Sequence, residues 1–557
     1  MLRILGWVTV AGLVLTSIYL AVNRIFQVDE AQQVFQSVIL ARGQSSSFYT
    51  YAPLHHLGPM AWVAHHAGTA KDMFTWDRLI YLVVFWINLL LLARICAGGW
   101  RNRSFLPWLL FAATLEPVWD YGFEIRHDNL LLTGILLLWL LVRGEARRSW
   151  VTAGFTGLLA IVLQFIAFKA FLYWIPCTLA ILLFPPPAVQ PSGRLRLALE
   201  WLGGALLGLV LVRLAYALGG GWSVALEGFR GGVSVSASVE RFSPFPALFR
   251  MVSQTPLVVA LGMAAAAAAI HRWVAEGRSF VGWGTAFPEL VLLTCLLASF
   301  LANPTPFPYN LLFLAPFLLI AGAGLVRRVL PERRPAVVAM AVATAAFCHF
   351  VPFLSQTYRH FGRTNDRQEE LMTLAERMTD PARDRVFDGT GLVPTRATVG
   401  YHWLVHSLTL RHFQDGSWPS VRELLEKNPA PIVIPNYRTN WLPAADRSFL
   451  TSHYVALADD FLVLGSTMPS GGGTYVCLQP GRYEIMLAGP PEAGKVAPIE
   501  VDGRAVAPES VLNLTRGPHE VRTESPARAI IVWLGPSLDK VPRLAPGSHL
   551  NLFVNWY

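Results

Sequence analysis

Hydrophobic positions fall in long unbroken runs through the first 352 residues and in short alternating stretches thereafter. The long runs, at 4–22, 79–95, 105–119, 128–142, 150–168, 170–186, 199–219, 251–270, 284–301, 309–326 and 335–352, predict eleven membrane-spanning helices. Lys169 interrupts one long run and divides the fifth span from the sixth. A polar loop at 23–78 separates the first two spans, and it sets Asp29 and Glu30 directly after the first. From Asp29 to Arg42, apolar Val34, Val38 and Ile39 oppose polar Gln32, Gln33, Gln36 and Ser37, which predicts a short amphipathic helix in the interface plane. Ser45 to Pro53 predicts a turn, and 56–67 a second helical piece ending at Gly68. The two pieces are expected to wall off a cavity between the spans.

The polar C-terminal portion begins near Ser355. Asn365 to Met378 and 418–427 predict helices, while Arg385–Phe387 entering the Asp388-Gly389-Thr390-Gly391 turn and Pro431–Pro435 predict strands. After about residue 452 the pattern becomes strand and turn. Phe461–Leu464, Thr474–Leu478, Gly481–Leu487, Ala497–Val501, Glu520–Glu524 and Ala529–Trp533 predict a β-sandwich. The expected organisation is a transmembrane domain at 1–353 with loop helices within 28–67, an α/β subdomain at 354–450, and a β-sandwich-like subdomain at 451–557. Two roles stand for the last: a stabilising cap, or a device that orients an acceptor.

Composition sharpens the class. Hydrophobic residues make up 54% of 557 and charged residues 15%, with a mean hydropathy of +0.43, which excludes an ordinary soluble enzyme. The 19 Trp and 32 Phe suit interfacial anchoring. The net charge of +9 is not a nucleic-acid footprint, because the basic residues sit in short loops between apolar runs. Arg94, Arg101 and Arg103; Arg143, Arg147 and Arg148; Arg194 and Arg196; Arg272 and Arg278; and Arg327, Arg328, Arg333 and Arg334 occupy every second loop. Under the positive-inside rule this predicts a polytopic α-helical protein with its N-terminus inside and C-terminus outside. The first run, with one Arg and no convincing cleavage site, is expected to be a retained span. Five dispersed cysteines give neither a disulfide framework nor a zinc motif. No separate oligomerisation segment is apparent, so a monomer is expected.

The opposite face gathers ionisable residues of both signs. Its first loop holds Asp29, Glu30, Arg42, His55, His56, His65, His66, Lys71, Asp72, Asp77 and Arg78; its second holds Asp120, Glu124, Arg126, His127 and Asp128. Such a concentration at a membrane face points to a site. Asp29 reads as a general base beside a low-dielectric cavity, or as a solvated cap of the loop helix. Glu30 falls on a different helical face, as a structural partner or a ligand to water or a divalent metal, a role for which Asp29 and Glu30 are the candidates. Lys169, flanked by Phe168 and Ala170, binds an anion or snorkels to the interface. Arg126 and Arg241 are further cations. Asp128 orients Arg126 or His127, or caps its helix. His55 and His56 are candidates for substrate contact or structural residues, without a metal-ligand spacing. Tyr309 stacks on substrate or belongs to the aromatic belt. No Gly-rich phosphate loop, His-Glu-x-x-His or Gly-x-Ser-x-Gly occurs, so nucleotide-sugar chemistry is not indicated.

The order of these motifs over residues 1–350 (Asp29-Glu30 after the first span, the loop helix, Arg126-His127-Asp128, Lys169, and Asn303-Pro304-Thr305-Pro306-Phe307-Pro308-Tyr309-Asn310) resembles the C-type integral-membrane (GT-C) glycosyltransferases. The nearest likeness is to the superfamily holding protein O-mannosyltransferases and bacterial lipid A aminoarabinose and galacturonic acid transferases. Relatives often carry a His-Pro-Pro type element where this chain has Leu54-His55-His56-Leu57-Gly58-Pro59. The resemblance implies a sugar donor on a polyprenyl phosphate, inversion at the anomeric carbon, and Asp29 as base. Lys169, Arg126 and Arg241 are then expected at the donor phosphate, and Asp128, His127, His55, His56 and Tyr309 at sugar or acceptor. The acceptor is expected to be an envelope glycan, lipid A or a protein at the periplasmic face of a bacterial inner membrane. Two rivals are weighed against this: a lipid-carrier transporter, which predicts inverted repeats, and a non-enzymatic envelope assembly protein.

Overall fold

The computed structural model describes residues 2–42, 54–143, 149–183, 193–219, 221–238, 241–276, 288–303, 306–329, 335–401, 404, 411–488, 499–523 and 528–554. The turn expected at 45–53 lies outside them. The chain forms two compact units: Met1–Arg24, Thr50–Trp62 and Thr75–Arg363; and Ile25–Tyr49, Val63–Phe74 and Thr364–Tyr557.

The first unit is helical. Among the described residues six helices are long and apolar enough to cross a membrane: Arg3–Asn23, Ala70–Ala97, Leu195–Leu218, Pro256–Ala275, Pro308–Val329 and Ala336–Phe361. The remaining expected spans are shorter pieces, and the breaks have local causes. The run at 105–119 is two helices, Phe105–Ala113 and Glu116–Tyr121. Leu115 between them is extended (φ −71°, ψ 106°), and Pro117 fits only the first turn of the second. The run at 251–270 is divided at Thr255 (φ −132°, ψ 50°), just before Pro256, into Phe245–Gln254 and Pro256–Glu276. At Lys169 the division is complete. Helix Ser149–Ile166 stops, Ala167 is extended (φ −144°, ψ 129°), and a 3₁₀ turn Phe168–Ala170 leads into helix Phe171–Leu183.

Small residues let two of these helices meet backbone to backbone. A Cβ on Gly204 would lie 1.8 Å from the Gly154 carbonyl oxygen, and one on Gly157 would lie 2.0 Å from that of Trp201. Helices Ser149–Ile166 and Gly193–Leu218 therefore pack through a glycine seam, the small-residue solution favoured where lipid removes the hydrophobic drive for helix association. A large core carries the rest of the unit, with Phe85, Trp108, Phe111, Trp119, Phe123, Trp139 and Phe317 all buried.

The second unit begins with helix Val28–Ala41. A capping box starts it: the Gln27 side chain accepts from the Glu30 amide, while the Glu30 carboxylate accepts from the Gln27 amide at 2.8 Å. The helix was expected in the interface plane, but Gln32, Gln33, Gln36 and Ser37 are as buried as Val34, Val38 and Ile39. Amphipathic spacing reports one apolar stripe and is silent on whether protein also covers the polar one. The C-terminal part is β-rich. Strands β1 (Val386–Phe387), β2 (Ile432–Val433), β3 (Tyr454–Ala458), β4 (Phe461–Thr467), β6 (Gly481–Ala488), β9 (Ser510–Leu514) and β11 (Arg528–Trp533) form one sheet in the order β1-β2-β4-β11-β6-β9, with β3 also on β4. β1 and β2 are parallel, Val386 opposite Ile432. Strands β5 (Gly472–Cys477), β7 (Ile499–Val501), β8 (Arg504–Val506) and β10 (Gly517–Thr523) form a second, antiparallel sheet in the order β5-β10-β7-β8. In place of a closed sandwich after residue 451, the first sheet takes strands from both sides of that point, because β4 pairs with β2 as well as β11.

Candidate functional site

In the first unit the Arg126-His127-Asp128 motif closes a loop and opens helix His127–Arg143. The loop is tied by Asn129, whose Nδ2 donates to the Tyr121 carbonyl (2.9 Å) and the Glu124 carbonyl (2.8 Å). Asn88 Nδ2 in turn donates to the Asn129 carbonyl (3.0 Å). Asp128 sits in the first helical turn, where a carboxylate complements the helix dipole. It is fully buried and meets three basic side chains: Lys169 Nζ at 2.5 Å, Arg126 Nε at 3.3 Å and His127 Nε2 at 3.8 Å.

Lys169 arrives on the 3₁₀ turn, which is braced by Gln164 donating to the Phe168 carbonyl (2.8 Å) and by Trp174 Nε1 donating to Gln164 (3.0 Å). Its ammonium also donates to Asn310 Oδ1 at 3.0 Å. The turn Pro308–Asn310 brings Tyr309 to the same place, with its ring 4.0 Å from the Arg126 guanidinium carbon and 4.9 Å from Lys169 Nζ. Both are cation–π distances. His55 and His56, on the 3₁₀ turn Leu54–Leu57, complete the surroundings, with the His55 ring 6.3 Å from that of His127. Burial first, then the neighbouring histidines, holds His55 well below the usual imidazole range, and burial with His127 pushes His56 down to about 3. Both rings are neutral at pH 7. Lys169 and Arg126 both pair with Asp128. Lysine and arginine side chains are the groups that hold a phosphate-like anion.

The structure thus brings together Arg126, His127, Asp128, Lys169, Tyr309, His55 and His56. Arg241 is exposed, and makes no ion pair with this cluster among the described residues. Asn310, which ends the Pro/Tyr motif, is a contributor that a lone amide in the sequence does not announce.

A second buried network in the same unit centres on Asp120. Its carboxylate contacts His360 Nε2 at 2.7 Å and Arg250 at 3.0 Å. Arg24 donates to the Asp120 carbonyl (3.0 Å) and pairs with Glu124 at 2.9 Å. Burial would raise the Asp120 carboxyl, but the His360 hydrogen bond and the nearby charges of His360, Arg24 and Arg250 hold it below the ordinary carboxylate range.

In the second unit, Asp29 is the second residue of helix Val28–Ala41 and is one-third exposed. Its Oδ1 lies 3.4 Å from the guanidinium of Arg438. Glu30 is fully buried and serves the capping box, so the two acids are separated in role by one residue of helical rotation. Among the described residues no group of three or more His, Cys, Asp or Glu side chains is gathered as a metal centre would need. No protein-family model matches this sequence, and no curated protein matches it.

Proposed function

We propose that the chain is an inverting, C-type membrane glycosyltransferase that moves a sugar from a polyprenyl phosphate to a lipid, glycan or protein acceptor. We place it in a bacterial inner membrane as a multi-pass protein with its N-terminus inside, and with its site and C-terminal portion on the periplasmic face. The observation that carries this reading is the convergence of Lys169 and Arg126 on the buried Asp128, with the Tyr309 ring against both cations. A departing phosphate accumulates negative charge, and fixed cations at a low-dielectric site stabilise it without reorganisation.

The chemistry balances as follows. The acceptor O–H (or N–H) gives its proton to the Asp29 carboxylate, and its lone pair forms the new bond to the anomeric carbon. The bond from that carbon to the phosphate oxygen breaks, and its electron pair leaves with the polyprenyl phosphate as the phosphate anion. Attack opposite the leaving group inverts the anomeric centre.

Purified full-length protein supplied with a polyprenyl-phosphate-linked sugar and membrane extract as acceptor should transfer the sugar. D29N should lose turnover while binding the donor, and Lys169→Met should lose donor affinity. Full turnover in D29N would remove Asp29 from the reaction. Movement of the carrier across a bilayer with its sugar linkage unchanged would establish the transporter reading instead.

A further inference from the structure

We infer that Arg438, more than 400 residues along the chain from Asp29, is the positioning residue for that carboxylate, an inference that rests on the glycosyltransferase reading above. An arginine 3.4 Å from a carboxylate that is one-third exposed would by distance alone be worth little. What sets this one apart is how the rest of the guanidinium is held. Arg438 is buried, its Nη1 donates to the Leu404 carbonyl at 2.9 Å, and its Nε lies 3.4 Å from the Tyr437 hydroxyl. The rings of Tyr437 and Trp441 lie 5.9 and 5.8 Å from its central carbon. With those positions fixed, Nη2 is the corner presented to Asp29.

The backbone is anchored as firmly. Asn436, fully buried just beyond β2, accepts from the Arg438 amide at 3.0 Å and donates from Nδ2 to the Asp388 carbonyl at 2.6 Å. Asp388 closes its own loop, its carboxylate accepting from the amides of Thr390 and Gly391 at 2.6 Å and Leu392 at 2.8 Å. That loop also packs on the helix that carries Asp29. Gly391 has φ +83°, and a Cβ there would come within 2.5 Å of the Phe35 Cβ and 3.3 Å of the Ala31 carbonyl oxygen. One rigid loop therefore touches both the segment bearing Arg438 and the helix bearing Asp29. The C-terminal portion is thereby part of the catalytic apparatus, since it fixes the orientation of the base. A guanidinium whose rotamer is already locked costs little further entropy when it pairs.

The test uses full-length protein in detergent with a polyprenyl-phosphate-linked sugar, comparing wild type, D29N, R438Q and R438K. R438Q should lose on the order of ten- to a hundredfold in kcat, with KM for the donor within about twofold. Guanidinium added to R438Q should restore part of the rate, and should not restore D29N. Independently of turnover, carbodiimide–amine labelling of Asp29, read by mass spectrometry, should rise severalfold in R438Q as the carboxylate is released. If R438Q fails to fold, R438K carries the same test, because it keeps the charge and lacks the planar fork. Wild-type kcat in R438Q beside a dead D29N overturns the positioning role alone. Unchanged labelling at Asp29 overturns it too. Full turnover in D29N overturns the underlying reading, and the positioning role with it.

Discussion

Two carboxylates eight residues apart, Asp120 and Asp128, are buried in the same unit and each is met by a full cation, yet their surroundings differ in kind. Around Asp120, Arg250 pairs with Asp120 and Arg24 with Glu124, with His360 adding a hydrogen bond. Around Asp128, Lys169 and Arg126 converge on one carboxylate and lean on the face of Tyr309. Burial of charge is costly in either case. The Asp120 network spreads its cations over two acidic residues, whereas two cations and an aromatic face meet at Asp128, the grouping proposed above to hold a phosphate. Burial and perturbed charge alone would have nominated both places. What the Asp128 grouping adds, and what makes it the one proposed as a site, is the Tyr309 ring against both cations.

The sharpest way to break this contrast is to remove one cation from each network. Arg24→Met removes the cation paired with the buried Glu124 and should cost about 3–5 kcal/mol of stability, read as a large drop in the melting temperature, without a specific effect on anion affinity. Lys169→Met leaves Asp128 still paired with Arg126. It should spare the melting temperature and weaken binding of a polyprenyl phosphate by about 1.5–3 kcal/mol, the range of a hydrogen bond to a charged group, as measured by titration in detergent. If Arg24→Met and Lys169→Met behave alike, the distinction fails.

Acid gives a third handle. The folded state keeps His56 neutral down to about pH 3, whereas the unfolded chain takes up the proton near 6.5. Between those values the unfolded state binds more protons, so stability falls as pH is lowered from 6.5 toward 3, by up to about 1.4 kcal/mol per pH unit from this group. Melting curves across that window should show wild type losing stability relative to His56→Phe as the pH drops. The smallest effect is expected at Tyr309. Tyr309→Leu removes the aromatic face from Arg126 and should cost about 0.5–2 kcal/mol in anion affinity, with Tyr309→Phe retaining most of it.

Much of the helical unit was legible as hydropathy, since long apolar runs have few alternatives to helix. What hydropathy does not register is where a run is interrupted. The breaks at Leu115 and Thr255 come from backbone geometry beside Pro117 and Pro256; the first splits an expected span, while the second leaves Pro256–Ala275 long enough to cross a membrane. Helix Val28–Ala41 was legible in extent but not in burial. In the β-rich part, β4, β5, β6, β10 and β11 match expected alternating stretches, whereas β3, β8 and β9 were missed. Arg504–Val506 is three residues long and depends on β7 for its identity, and Tyr454–Ala458 runs straight out of a helix. At the site, Arg126, His127 and Asp128 are neighbours in sequence, and Lys169 announced itself as a charge among apolar residues. Asn310 and Arg438 did not. Each is an ordinary polar residue whose significance lies in a partner 141 or 409 positions away, and pairing at that range is decided by tertiary packing.

The glycine seam between Ser149–Ile166 and Gly193–Leu218 acts as a ruler for the site. Helix Ser149–Ile166 ends three residues before Lys169, so whatever sets the axial position of that helix sets the reach of the ammonium. Because Gly204 and Gly157 seat backbone against carbonyl with no side chain to yield, the seam admits one register. Sliding by a single residue would carry the helix end about 1.5 Å. That is more than half the length of the contact it positions, the 2.5 Å between Lys169 and Asp128. The tolerance of a charged contact at one end of a helix is thereby written into residues that have no side chains at all.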